Sequence, residues 1–201
     1  AGRALIDHAL DLARAAGVRR IVVNTHYRAD QLATHLNGKG VLISHEPGPI
    51  LETGGGLRAA LPLTGSGPVA VLNSDAIWTG ANPLSELAKA WNPDRMEALL
   101  LLQSAEKARG AGAMGDFRLN DAGQISRGAG DEDQVYLGAS ILDPARLVTI
   151  PDKVFSLNRP WDQMIAAGTA FGTPHQGRWC DVGHPEGIAE AEALLHSARH
   201  D

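Results

Sequence analysis

Four short segments of this chain carry residue types that could act on phosphate or sugar groups. The first, Val69-Ala70-Val71-Leu72-Asn73-Ser74-Asp75, is an apolar run ending in a carboxylate. If the run is a strand, Asp75 stands at the carboxyl edge of a sheet, where open α/β folds bind their ligands. A carboxylate there suits a hard cation such as Mg2+, which takes oxygen ligands and shares them with substrate phosphates. Alternatively, Asp75 only caps the turn that follows. The second segment, Trp179-Cys180-Asp181-Val182-Gly183-His184-Pro185, sets Asp181 after a short apolar stretch and ahead of a tight approach to a helix. Asp181 is then either a second carboxylate for the same cation or a charge facing a helix N-terminus. The third runs from Glu46 to Gly56 and ends in Glu52-Thr53-Gly54-Gly55-Gly56. Consecutive glycines before a helix let a ligand approach the backbone and leave helix N–H groups free. A tight turn accounts for them as well. The segment is neither a Walker loop nor a dinucleotide fingerprint. The fourth, Gly112 to Phe117, contains Gly115-Asp116. A carboxylate beside a glycine can bond sugar hydroxyls, or can simply begin a hairpin.

Other chemistries are disfavoured. The eight histidines show no zinc-ligand spacing and there is one cysteine, so a structural zinc site is not expected. Ser74, Ser104 and Ser156 lack a nucleophile-elbow context. The 201 residues suffice for one well-filled domain, and we expect a single domain over 1–201. The apolar fraction of 44% and charged fraction of 20% argue against global disorder. A net charge of -5 without a basic run is unsuited to gripping a nucleic-acid backbone. No apolar run approaches the roughly 20 residues that cross a bilayer, so no membrane partner is expected. Cys180 has no partner for an intramolecular disulfide, which fits a reducing compartment, the cytoplasm.

The elements that must position these segments follow from periodicity. Leu5 to Ala13 has helical spacing, with Gly17 as a stop. Arg20 to Thr25 and Val41 to Ser44 read as strands around a helix from Asp30 to Leu36. Glu46 to Gly56 reads as a Gly- and Pro-rich turn, then Leu57 to Leu61 as a short helix stopped by Pro62. Pro68 to Asn73 and Glu97 to Gln103 read as strands around a helix from Pro83 to Trp91 capped by Asn82. This alternation predicts a parallel sheet with crossover helices. Gly110 to Gly115 reads as a flexible loop, and Phe117–Leu119 with Gln124–Ser126 as a hairpin. Further strands are expected at Val135–Leu142, Thr169–Gly172 and Gly177–Cys180, and helices at Pro160–Ala167 and Glu186–Ala198.

Together the segments resemble the sugar-1-phosphate nucleotidyltransferase family. Leu5-Ile6-Asp7-His8-Ala9-Leu10 is similar to the helix after the family's "KP" segment. Leu51-Glu52-Thr53-Gly54-Gly55-Gly56 resembles its "LETAGG" or "LETGGG" turn, Asn73-Ser74-Asp75 its "N-x-D" metal site, and Trp179 to Pro185 its "W-x-DVGTP" segment. The tags Val23-Asn24-Thr25-His26-Tyr27, Ser44-His45-Glu46, Asn73 to Trp78 and Gly115-Asp116-Phe117 are most similar to the N-acetylmuramate-1-phosphate uridylyltransferases of peptidoglycan recycling. Mannose-1-phosphate guanylyltransferases, using GTP, share much of the pattern. A domain that only binds nucleotide sugars is the non-enzymatic alternative.

The resemblance implies a nucleotide-diphospho-sugar transferase fold: α/β, with a Rossmann-like, mixed, mostly parallel sheet flanked by helices. It implies transfer of a nucleoside monophosphate, from UTP, to a sugar 1-phosphate. Asp75 and Asp181 would hold Mg2+ and carry the catalysis. Glu52, Thr53, Gly54, Gly55 and Asn73 would line the nucleotide. Gly115, Asp116 and Gly138 would meet the sugar, with Asn158 near the phosphate end. A homo-oligomer is compatible with this reading. The family's G-x-G-x-R-x-x-P-x-T loop and the Lys after it are absent from the chain, which begins without Met. The first strand and its loop are therefore expected to lie upstream of Ala1.

Overall fold

A computed structural model of the chain describes residues 2–108, 115–128, 130 and 133–198. Most of the expected 110–115 loop lies outside these residues. Helix α1 (Leu5–Ala15) buries Ala9, Leu10 and Ala13 on one stripe and ends just before Gly17, which has φ +76°. Strands β1 (Val22–Thr25) and β2 (Leu42–His45) pair in parallel, Val22 opposite Leu42, and helix α2 (Ala29–Leu36) crosses between them. Then follow α3 (Glu52–Thr64), β3 (Val69–Leu72), β4 (Ala76–Thr79) and α4 (Pro83–Ala90). The Asn82 side chain caps α4 by accepting the Leu84 and Ser85 N–H groups, with Pro83 at the first helical position.

The second half contains β5 (Ala98–Ser104), β6 (Phe117–Leu119), β7 (Ile125–Arg127), β8 (Gln134–Leu142), α5 (Ala145–Thr149), α6 (Asn158–Ala166), β9 (Ala170–Pro174), β10 (Arg178–Asp181) and α7 (Pro185–Ser197). The main sheet has the order β7-β6-β8-β5-β9, and β3 also pairs with β8. Strand β8 is thus the hub: β5 runs along it, β3 takes residues 139–142, and β6 meets Gln134. Strand β5 explains the core. Leu99 and Leu101 face a cluster with Trp78, Leu84, Leu87 and Trp179, while Ala98, Leu100 and Leu102 face one with Phe117, Leu147, Trp161 and Met164. Two apolar faces with period two make this strand read as an unbroken hydrophobic run. A third cluster packs α7 on β4 and β10 through Ile77, Cys180, Ala191 and Leu194.

The mixed sheet flanked by helices is the expected architecture, with four corrections. Pairing is parallel for β1–β2 and β5–β9, but most described pairings are antiparallel. Strand–helix alternation shows neighbours in the chain, whereas β3 and β5 both find their partner in the distant β8. The expected turn up to Gly56 is instead the first part of α3, which includes all three glycines and continues through Pro62. Pro62 forfeits only its own N–H bond, and the helix ends at Thr64, within a turn. Strand β4 was hidden directly behind the Asp75 turn. Helix α5 is too short for its periodicity to register.

Candidate active site

Asp75 lies between β3 and β4, and Asp181 is the last residue of β10. Strands β4 and β10 pair antiparallel with Asp181 opposite Ala76, and the Val182 N–H donates to the Asp75 carbonyl at 2.7 Å. Two acidic residues 106 positions apart in sequence therefore occupy neighbouring places at one strand end. Asp75 is exposed and Asp181 half-buried. Oδ1 of Asp181 accepts the Gly183 N–H at 3.2 Å. The N-cap residue of α7, His184, makes no side-chain cap bond. A Cβ on Gly187 would fall 2.5 Å from the Asp181 carbonyl, so the first turn of α7 can sit this close only because it has a glycine there.

Asn73 and Gly138 are brought together beside this pair. The Asn73 N–H donates to the Gly138 carbonyl at 2.7 Å, and a Cβ on Gly138 would collide with the Asn73 side chain at 2.9 Å. Gly138 has φ +80° and sits where the β5–β8 register slips between Leu100 and Leu102. The slip is a bulge that turns β8 toward the end of β3.

The glycine segment behaves differently from expectation. The Gly54 and Gly55 N–H groups both donate to the Phe155 carbonyl at 2.9 Å, and Thr53 Oγ1 accepts the Leu157 N–H at 3.0 Å. A Cβ on Gly54 would meet the Phe155 ring at 2.5 Å, and one on Gly55 the Lys153 carbonyl at 2.5 Å. The glycines thus admit the 153–157 segment, and these two N–H groups are not free for a phosphate. Glu52 stays exposed with φ +60°, a left-handed conformation that non-glycine residues rarely adopt. Asn158 opens α6 immediately after Leu157 and is exposed, its carbonyl accepting from Arg127.

Asp116 is exposed but firmly held. Its N–H donates to Gln134 O at 2.8 Å, its carbonyl accepts from Gly128, and its Oδ2 accepts the Tyr136 N–H at 2.8 Å. Gly115 packs against Asp133, a buried carboxylate that accepts from Arg118 Nε and the Gly130 N–H. Tyr136 stacks edge-on against Trp161 and donates to Ser140 Oγ, and burial pushes its phenol pKa up, so it stays protonated. The Asp75–Asp181, Glu52–Gly55 and Asp116 groups stand on different elements. Strand β8 links two of them, through Gly138 and Tyr136.

Among the described residues no group of three or more His, Cys, Asp or Glu side chains is placed to hold a metal. A pair of carboxylates still fits Mg2+, which keeps waters and substrate phosphates in its other positions. Sequence reasoning included Asn24 and Glu46 in its segments without giving either a role of its own, and did not single out Asp133. Glu46 had a signal: it is an acid directly after a strand, while Asp75 follows its own strand by three residues.

No helix among the described residues is long and apolar enough to cross a membrane. The fold is that of a nucleotide-diphospho-sugar transferase domain. The chain belongs to the MobA-like NTP transferase domain family, whose model matches residues 1–185, and with it to the sugar-1-phosphate nucleotidyltransferases that its motifs resemble. It is 40% identical over 216 residues to an N-acetylmuramate alpha-1-phosphate uridylyltransferase of Caulobacter vibrioides, covering 98% of this chain and 86% of that one. A protein of the same name from Neisseria meningitidis serogroup B is 29% identical over 201 residues, covering 96% and 86%. The fold matches a crystal structure of HddC from Yersinia pseudotuberculosis with a TM-score of 0.74 and 17% identity, covering 95% of this chain and 84% of that one.

Proposed function

We propose that the protein joins UTP and N-acetylmuramate 1-phosphate into a nucleotide sugar, in the cytoplasm, during cell-wall recycling. A phosphate oxygen of the sugar phosphate attacks the α-phosphorus of UTP. The α–β phosphoanhydride bond breaks and pyrophosphate leaves. The observation that carries the reading is the adjacency of Asp75 and Asp181 across β4 and β10. The 40% identity to a uridylyltransferase of that sugar supports the choice of substrates.

Asp75 and Asp181 would hold Mg2+, which when bound neutralises phosphate charge. Asn73 orients the strand end, and Glu52 and Thr53 face the base and ribose. Asp116, fixed by Gln134 and Tyr136, accepts hydrogen bonds from sugar hydroxyls. Holding both substrates in line needs no covalent intermediate. The test is pyrophosphate release by the full-length protein across a panel of sugar 1-phosphates and nucleoside triphosphates. UTP with N-acetylmuramate 1-phosphate should give the highest kcat/KM. A higher value for GTP with mannose 1-phosphate would move the protein to the guanylyl class, and no turnover with any pair would remove the enzymatic reading.

A further inference from the structure

At the end of β2, a carboxylate outside the groups above is almost enclosed. Glu46 is 8% exposed, and each of its oxygens is engaged. Oε1 accepts from Asn24 Nδ2 at 3.1 Å, and Oε2 accepts the Leu51 N–H at 3.1 Å. Asn24 Nδ2 also donates to the Gly56 carbonyl at 2.9 Å. A Cβ on Gly56 would lie 2.8 Å from Glu46 Oε1, so this glycine admits the carboxylate. The network ties β1 and β2 to two points of one segment, Leu51 and Gly56. Between them lies Glu52 with its φ of +60°. A left-handed non-glycine residue persists only where its surroundings over-determine it. On the other side, the Phe155 carbonyl holds Gly54 and Gly55. An enclosed acid with two neutral donors is a costly way to close a turn. It is an effective way to set the position of the next residue.

We infer that Glu46 is a positioning residue for the nucleoside triphosphate. It acts through Leu51 to hold Glu52 in the conformation that presents this side chain to the base. This rests on the reading of Glu52 as part of the nucleotide seat. The role is confined to nucleotide affinity and base choice, and leaves the phosphoryl step alone.

The test compares full-length wild type with Glu46→Gln and Asn24→Ala. Titration calorimetry with UTP, CTP and Mg2+, without sugar phosphate, reads nucleotide binding independently of turnover. Steady-state kinetics reads KM against kcat. In Glu46→Gln, Kd and KM for UTP should rise roughly tenfold, with kcat within about twofold of wild type and KM for the sugar phosphate unchanged. The preference for UTP over CTP should narrow, which a merely structural role would not cause. Asn24→Ala, at an exposed position, should shift Kd the same way by roughly threefold. A folded Glu46→Gln protein with wild-type UTP affinity overturns the inference, as does a fall in kcat at unchanged Kd. If Glu46→Gln fails to fold, Asn24→Ala decides alone, and an unchanged Kd overturns the inference. Wild type that binds UTP but transfers it to no sugar phosphate defeats the proposed function while the Kd comparison still judges Glu46. Wild type that binds no nucleoside triphosphate defeats both.

Discussion

Replacing Gly55 with alanine sets two rules against each other. Helix propensity favours alanine over glycine by about 1 kcal/mol inside a helix such as α3. The structure predicts the opposite sign. An alanine Cβ would lie 2.5 Å from the Lys153 carbonyl oxygen, where ordinary contact begins at 3.4 Å. The 153–157 segment would have to retreat by the difference, nearly 1 Å. That retreat stretches the two bonds from Gly54 and Gly55 to Phe155 O, now 2.9 Å, past hydrogen-bonding distance. Overpacking costs about 1–3 kcal/mol, and each lost bond about 0.5–1.5 kcal/mol. After the propensity gain, the net loss is about 1–5 kcal/mol, centred near 3 kcal/mol. For a chain of 201 residues the central value lowers Tm by roughly 6–12 °C. Thermal and urea melts of the variant check it. Gly48→Ala is the control, because no atom lies within 4 Å of its would-be Cβ and Tm should barely move. A Gly55→Ala protein as stable as wild type, or more so, would refute the view that these glycines are there for segment packing.

Asp75→Asn and Asp181→Asn should each lower turnover by at least about 100-fold with Tm nearly unchanged. A pyrophosphate-release assay across a Mg2+ titration checks this, and near-normal activity in either variant removes that residue from the metal role. Glu86→Ala should destabilise by about 2–4 kcal/mol, because it strips the partner from a fully buried His175 and from the Gln176 N–H; calorimetry reads the change. Acid stability should depend on Asp7. A hydrogen bond from Lys39 holds its carboxyl below the usual range, against opposing desolvation, and His35 adds to the effect. A depressed folded pKa means the contribution is present above the unfolded value and is lost as pH falls through the folded one. Asp7→Asn should therefore flatten the fall of Tm as pH drops below about 4, and an unaltered acid limb would contradict it.

What was legible in the sequence is what local patterns encode. Asn82-Pro83 announced the start of α4, and the leucine run of β5 announced a strand, though not its burial on both faces. Asp75 was placed at a strand end from its apolar run alone, and the structure puts it there beside Asp181. Pairing was not legible, because β8 recruits β3, β5 and β6 from distant parts of the chain. The glycine cluster misled for a physical reason: Gly54 to Gly56 answer to Phe155, Lys153 and Glu46, and nothing in their own neighbourhood shows the 153–157 segment. Glu46 could have been found by the rule that found Asp75. The left-handed Glu52 could not, since no residue type announces it.

Strand β8 works as a ruler. At one mark, residue 138, it abuts Asn73 and the paired carboxylates beyond; at another, residues 134–136, it grips Asp116. The marks are at most roughly 13 Å apart along an extended strand, and the bulge shortens that interval. Deleting one residue between them would draw the two ends together by about 3.3 Å and turn every intervening side chain to the opposite face. Drift in this stretch of sequence is therefore confined to exchanges of side chain, and under the proposed function a variant that takes a longer or shorter sugar phosphate changes the 115–128 segment instead of the strand.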